Sequence, residues 1–185
     1  MPLHPTHPLY KLFNPDAPEM SEEEKAKLES ATYECGCHCG YIKYAVTLTP
    51  PLPEYEVLHC NCSMCRSAGY LLVYPERKNV KWHGDSQSRC AVYRFNTKQK
   101  DQLFCPNCGT SLMIDFKNWG RVFDGYGVSV RTFYGIDLDS LKYEKGRGLE
   151  YAPPAKDLSG TQWEIDEKER LEKEQAEKGA HPTPA

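Results

Sequence analysis

Phe104-Cys105-Pro106-Asn107-Cys108-Gly109-Thr110 has the form of a zinc knuckle. Proline fixes φ after the first cysteine, and glycine after the second permits a positive φ, so that backbone N–H groups can turn toward both sulfurs and stabilise thiolate charge. A knuckle supplies two ligands, and a closed structural site needs four. Working outward, Cys37 and Cys39 supply the missing pair. In an extended chain residues two apart point to the same face, so C-x-C presents two sulfurs to one ion. Cys35 continues the spacing and competes with Cys37 for that role, although Gly36 and Gly40 bracket Cys37 and Cys39 more symmetrically. Cys35 and Cys90 otherwise read as buried small apolar residues.

The third cluster, Cys60-Asn61-Cys62-Ser63-Met64-Cys65, combines a C-x-C and a C-x-x-C step and can fold three sulfurs around one ion. Three ligands leave a position for water or substrate, which is the mark of a catalytic zinc. Three thiolates on Zn²⁺ carry a net charge of about −1, so the metal is a modest Lewis acid suited to a soft ligand such as a thiol. The competing reading is a second structural site completed by His59, His38, His83 or Cys90. His59, adjacent to Cys60, reads instead as a buried hydrogen-bonded histidine. Arg66 follows the third cysteine and either binds a substrate carboxylate, offsets the charge of the site, or is a surface arginine.

The rest of the chain frames these clusters. With 185 residues and 39% hydrophobic content, it suits one domain with tails whose core is supplemented by metal. An odd count of nine cysteines in tight pairs, with no apolar leader, argues for reduced thiols and a cytoplasmic or nuclear setting rather than a disulfide scaffold. No run approaches the ~20 apolar residues of a membrane span. A net charge of −3 and a pI near 6.1 give no broad attraction to nucleic acid. Small molecules are the expected partners; the oligomeric state is left open.

Residues 1–30 read as a proline-rich arm plus a short helix over 22–28, opened by the Ser21/Glu24 capping-box spacing. His4 and His7 read as residues of a solvated arm. From Tyr33 to Tyr143 the pattern alternates with period two: Ile42, Tyr44 and Val46, then 70–74, 80–82, 91–95 and 112–116, with turn signals between. Residues 31–150 are thus a mainly β, zinc-binding domain. Residues 151–185 form a charged tail, whose stretch 164–179 is either a solvated helix with (i, i+4) ion pairs or disordered.

The three clusters in this order resemble the family of the glutathione-dependent formaldehyde-activating enzyme, which also includes centromere protein V. The matching pieces are Gly36-Cys37-His38-Cys39-Gly40, Cys60 to Arg66, Phe104 to Thr110, and Val128-Ser129-Val130 leading to Gly135-Ile136-Asp137-Leu138-Asp139. The resemblance implies an Mss4-like fold of folded-over antiparallel strands, with Cys37, Cys39, Cys105 and Cys108 on a structural zinc. It implies a catalytic zinc on Cys60, Cys62 and Cys65, hence two zinc ions per chain. The implied activity is addition of glutathione, as cosubstrate, to formaldehyde, a carbon–sulfur lyase reaction run in reverse. Asn61 departs from the pattern, where histidine is frequent. Two other functions fit the same residues: a zinc-dependent hydrolase or lyase acting on a larger metabolite, and a non-catalytic, zinc-stabilised protein-interaction module. The second is disfavoured by the lack of a long basic extension.

Overall fold

The computed structural model describes residues 27–117, 123–151 and 157–179, with positions 10, 16, 18, 20, 21, 23 and 24 of the preceding segment. Strands β1 (Ala31–Gly36), β2 (Lys43–Leu48) and β5 (Val80–Trp82) form a three-stranded antiparallel sheet. The larger sheet adds β3 (Val57–Cys60), β4 (Leu72–Val73), β6 (Ala91–Tyr93), β7 (Asp101–Phe104), β8 (Ser111–Asp115), β9 (Tyr126–Ser129) and β10 (Tyr143–Gly146), in the order β10-β3-β4-β9-β8-β7-β6. Among the described residues the helices α1 (Ser63–Ala68), α2 (Gly148–Tyr151) and α3 (Gln162–Gly179) follow β3. The mainly β expectation holds. One pair departs from an all-antiparallel arrangement, since β10 runs parallel to β3. Parallel neighbours need a long connection, and here the chain from Asn61 to Lys142 supplies it by building most of the sheet between them.

The alternation read from the sequence sorts side chains into two cores, one on each face of the large sheet. Along β4, Leu71 and Val73 enter the first core, whereas Leu72 and Tyr74 enter the second. Met113 and Ile114 on β8 divide in the same way. The first core is shared with the small sheet through Tyr44, Val46 and Leu48 and is tied by a hydrogen bond of 2.7 Å between the Tyr44 and Thr132 hydroxyls. The second is smaller and aromatic: Tyr70, Tyr74, Phe116 and Phe123 pack with Ile114, Leu72 and Cys65. Phe116 and Phe123 meet edge to face at 5.4 Å, a preferred aromatic geometry.

The flanking segments divide. Ser21 and Glu24 form the capping box, with the Ser21 N–H donating to Glu24 Oε2 at 2.8 Å and the Glu24 N–H to Ser21 Oγ at 3.2 Å. Residues 23 and 24 are helical, while Lys27 and Leu28 already form a turn and bend, so the helix is shorter than the 22–28 expected. Tyr10 packs against the second core, a contact that the proline pattern of the arm did not reveal. His4 and His7 lie outside the described residues. In the tail, α3 takes the helical alternative, with Arg170 bridging Glu167 and Glu174. Its first turn docks on the β6–β7 turn: the Asn96 N–H donates to Gln162 Oε1 at 2.9 Å, and Lys98 pairs with Asp166 and Glu169 at 2.7 and 2.8 Å. No helix among the described residues is long and apolar enough to cross a membrane.

Candidate metal centres

Two knuckles of matching construction face each other at one end of the first core. In each, the N–H of the leading cysteine donates to a carbonyl five residues on: Cys37 to Ile42 O and Cys105 to Thr110 O, both at 3.0 Å. Each turn then needs a left-handed residue after its second cysteine, supplied by Gly40 (φ 75°) and Gly109 (φ 72°). The turns are joined by the His38 N–H, which donates to Thr110 Oγ1 at 3.2 Å. Cys37, Cys39, Cys105 and Cys108 come together with sulfurs within 4.8 Å of one another. The Cys37–Cys39 and Cys39–Cys105 separations are 3.6 and 3.7 Å. A tetrahedron of sulfurs at the zinc–thiolate distance of ~2.3 Å has edges of about 3.8 Å, so the donor set fits zinc. The Ile42 N–H donates to Cys37 Sγ at 3.2 Å and Thr110 Oγ1 lies 3.1 Å from Cys108 Sγ. The Thr110 hydroxyl and N–H draw the Cys108 thiol down to about 5. Burial opposes ionisation of Cys37, but hydrogen bonds from Ile42 and the neighbouring thiols carry it below the ordinary range. These groups stabilise the charged form that metal binding requires.

Cys35 stands apart. It is fully buried, its thiol points back to Tyr33 O at 3.4 Å, and burial raises its pKa far above the usual value. Of the two, Cys37 is the one whose sulfur joins the group of four. Cys90 is partly buried against the first core, with its thiol 3.5 Å from Ser86 O.

Cys60, Cys62 and Cys65 lie at the edge of the second core, again with sulfurs within 4.8 Å. Cys60 ends β3 and Cys62 is the N-cap of α1, its sulfur accepting from the Cys65 N–H at 3.4 Å. The helix start thus turns the third sulfur back on the first two. Hydrogen bonds from the Cys60 and Cys65 thiols pull the Cys62 thiol down to about 3, and its contacts with Cys60 and Cys62 push the Cys65 thiol well up. Among the described residues no histidine, carboxylate or further cysteine joins the three. The alternatives for a fourth ligand are placed elsewhere. His83 Nε2 lies 3.4 Å from a Glu34 carboxylate oxygen. His59 is exposed, not buried as its neighbours suggested: it stands opposite Lys145 in the parallel β3–β10 pair and meets Lys145 Nζ at 3.2 Å. Arg66 is an exposed arginine on α1, bound to Asp157 at 2.6 Å and Ser159 at 3.0 Å. Both contacts use Nη2, so a substrate carboxylate at that nitrogen competes with Asp157.

Sequence reasoning missed the backbone that closes over this site. A β-carbon at Gly148 would lie 2.5 Å from Cys60 Sγ and 2.9 Å from Cys62 Cβ, so only glycine fits there. Asn61 holds that segment: its N–H donates to Gly146 O and its Oδ1 accepts from the Leu149 N–H, both at 3.0 Å. The residue that departs from the family pattern is the staple between the cysteine loop and α2. The only local signal was the pair of glycines in Gly146-Arg147-Gly148. Gly148→Ala is expected to displace Cys60 and Cys62 and cut bound zinc from two equivalents toward one, with a stability cost in the overpacking range of about 1–3 kcal/mol. Metal analysis and a melting curve check this; a variant that keeps both equivalents and full stability contradicts the close approach.

Two comparisons bear on this arrangement. The sequence pattern of the family described as glutathione-dependent formaldehyde-activating enzyme matches residues 32–135, more than half of the chain. The fold is also similar to the crystal structure of a Rhodobacter sphaeroides protein, with a TM-score of 0.50 and 21% sequence identity over 60% of this chain and 99% of that one.

Proposed function

Because the chain belongs to the glutathione-dependent formaldehyde-activating enzyme family, we propose that it is a zinc-dependent carbon–sulfur lyase-type enzyme that adds a thiol, glutathione, to formaldehyde. In this reading Cys37, Cys39, Cys105 and Cys108 hold a structural zinc, and Cys60, Cys62 and Cys65 hold the catalytic one. The observation that carries it is the difference between the two clusters: four sulfurs close one site, whereas three sulfurs gather at the other with no fourth donor among the described residues. A zinc ion there supplies one open coordination position, at which a thiol loses its proton at neutral pH.

The reaction balances without a further reagent. The thiol sulfur forms a bond to the formaldehyde carbon, the carbonyl π pair moves to oxygen, and the thiol proton ends on that oxygen to give the S-hydroxymethyl product. Formaldehyde adds thiols readily without help, so the protein needs to supply little beyond orientation and thiolate at neutral pH. The residues suit that task. Tyr74, Phe116 and Phe123 give the site an apolar wall on one side, and the backbone at Gly148 limits the room beside Cys60 and Cys62. An NMR exchange measurement of glutathione with formaldehyde tests the reading. Zinc-loaded protein is expected to accelerate exchange above the uncatalysed rate, and no acceleration at two bound zinc equivalents overturns it.

A further inference from the structure

The four-cysteine cluster presents its sulfurs unequally. Cys37 and Cys105 are buried, whereas Cys39 and Cys108 are exposed. Cys108 has the Thr110 hydroxyl at 3.1 Å, and a hydrogen bond to a thiolate lowers its basicity and with it its nucleophilicity. Cys39 lies against both buried sulfurs, 3.6 Å from Cys37 and 3.7 Å from Cys105. A sulfur that solvent reaches, in contact with further thiols, combines the two parts of an oxidation site, an entry thiol and a resolving one. The three-cysteine site is less accessible: Cys60 and Cys62 are half-buried, Cys65 is buried, and the backbone at Gly148 stands against the first two.

Strain distinguishes the two buried neighbours. Only His38 separates Cys37 from Cys39, so their disulfide closes a small ring, and strained disulfides are the labile ones. Cys105 is 66 residues from Cys39 and sits on the facing knuckle, so that a bond between them closes a long loop, the kind that constrains an unfolded chain most. That bond also joins the β1–β2 turn to the β7–β8 turn, which belong to different sheets. We propose that Cys39 is the oxidant-sensitive thiol of this chain and that its disulfide with Cys105 takes over from zinc as the tie between the two sheets. With hydrogen peroxide as oxidant, the Cys39 thiolate attacks one peroxide oxygen, the O–O bond breaks, and a sulfenic acid and hydroxide result. The Cys105 thiolate then attacks the sulfenic sulfur and expels a second hydroxide. Each sulfur loses one electron, the peroxide gains two, and solvent protons convert both hydroxides to water. Two thiolates remain, too few to close a zinc site, and that ion leaves. The inference rests on the reading of this cluster as a zinc site and adds a covalent state that replaces the metal.

The test uses the zinc-loaded full chain, treated with one equivalent of hydrogen peroxide beside a chromophoric zinc chelator and then blocked with N-ethylmaleimide. The expected result is release of one zinc equivalent, a Cys39–Cys105 disulfide in the non-reducing peptide map, and free thiols at Cys60, Cys62 and Cys65. The oxidised chain is expected to keep a cooperative melting transition, which dithiothreitol with chelator then lowers. Cys90→Ser, which removes a partly buried thiol beside the first core, is expected to change none of these readings. A first disulfide among Cys60, Cys62 and Cys65, one that pairs Cys37 with Cys39 or Cys105 with Cys108, no disulfide at all, or an oxidised chain without a melting transition overturns the inference. Metal analysis before peroxide separates it from the reading it rests on: an as-purified chain without zinc at the four cysteines sinks that reading, while the disulfide map still decides the pair.

Discussion

Cys105→Ser is expected to remove one zinc equivalent and lower the melting temperature by about 10–20 °C, the shift that corresponds to a loss of about 5 kcal/mol in a chain of this size. Cys105 is fully buried at the base of its knuckle, and its cluster joins the β1–β2 turn to the β7–β8 turn. Those turns belong to different sheets. Their covalent distance along the chain is large, so a closed four-ligand site constrains the whole domain, and the apparent binding free energy of a structural zinc, roughly 10–16 kcal/mol, is folding free energy. Serine fits the space but offers a hard, neutral oxygen in place of a soft thiolate. The remaining sulfurs would then stand close together with no ion among them. Melting followed by circular dichroism, with zinc quantified on the same sample, checks the expectation; an unchanged transition and two retained equivalents would falsify the structural assignment of this cluster.

Most of the metal architecture was legible in the sequence because it is local. A C-x-C or C-x-x-C step fixes where two sulfurs point within a few residues, and glycine after the second cysteine announces the left-handed turn found at Gly40 and Gly109. Strands with clear alternation, such as Ile42 to Leu48, were legible for the same reason. What escaped depends on distant pairing. The β3–β10 register brings Gly146 beside Cys60 and Gly148 over its sulfur, and the two glycines alone do not say where their segment docks. This segment also lies beyond the residues matched by the family pattern. His59 was misread because its neighbours are apolar and metal-type, although the strand turns it outward to Lys145. Gln102 looks like an unremarkable polar residue before Leu103; only the β7–β8 register, which sets it opposite Ile114, puts it on the face that carries Cys65. Tyr10 shows the same limit, since a lone tyrosine among prolines carries no signal of the aromatic core it meets.

The sharpest contrast with Cys105→Ser is Cys62→Ser, which is expected to abolish catalysed addition and remove one zinc equivalent while lowering the melting temperature by no more than about 5 °C. Two local facts limit the cost. Cys62 is the N-cap of α1, where its sulfur accepts from the Cys65 N–H, and serine is among the best residues for that position, so the helix start survives the change. The cluster also joins segments already held together without metal, through β3–β10 pairing and the two Asn61 hydrogen bonds. Activity is another matter. The loss of Cys62 leaves two ligands, too few to hold zinc with a position to spare for a substrate. Zinc analysis, a melting curve and the formaldehyde exchange rate on one preparation separate the outcomes. A collapse of stability equal to that of Cys105→Ser would show both clusters to be structural, and retained acceleration with one zinc gone would move the chemistry away from Cys60, Cys62 and Cys65 altogether.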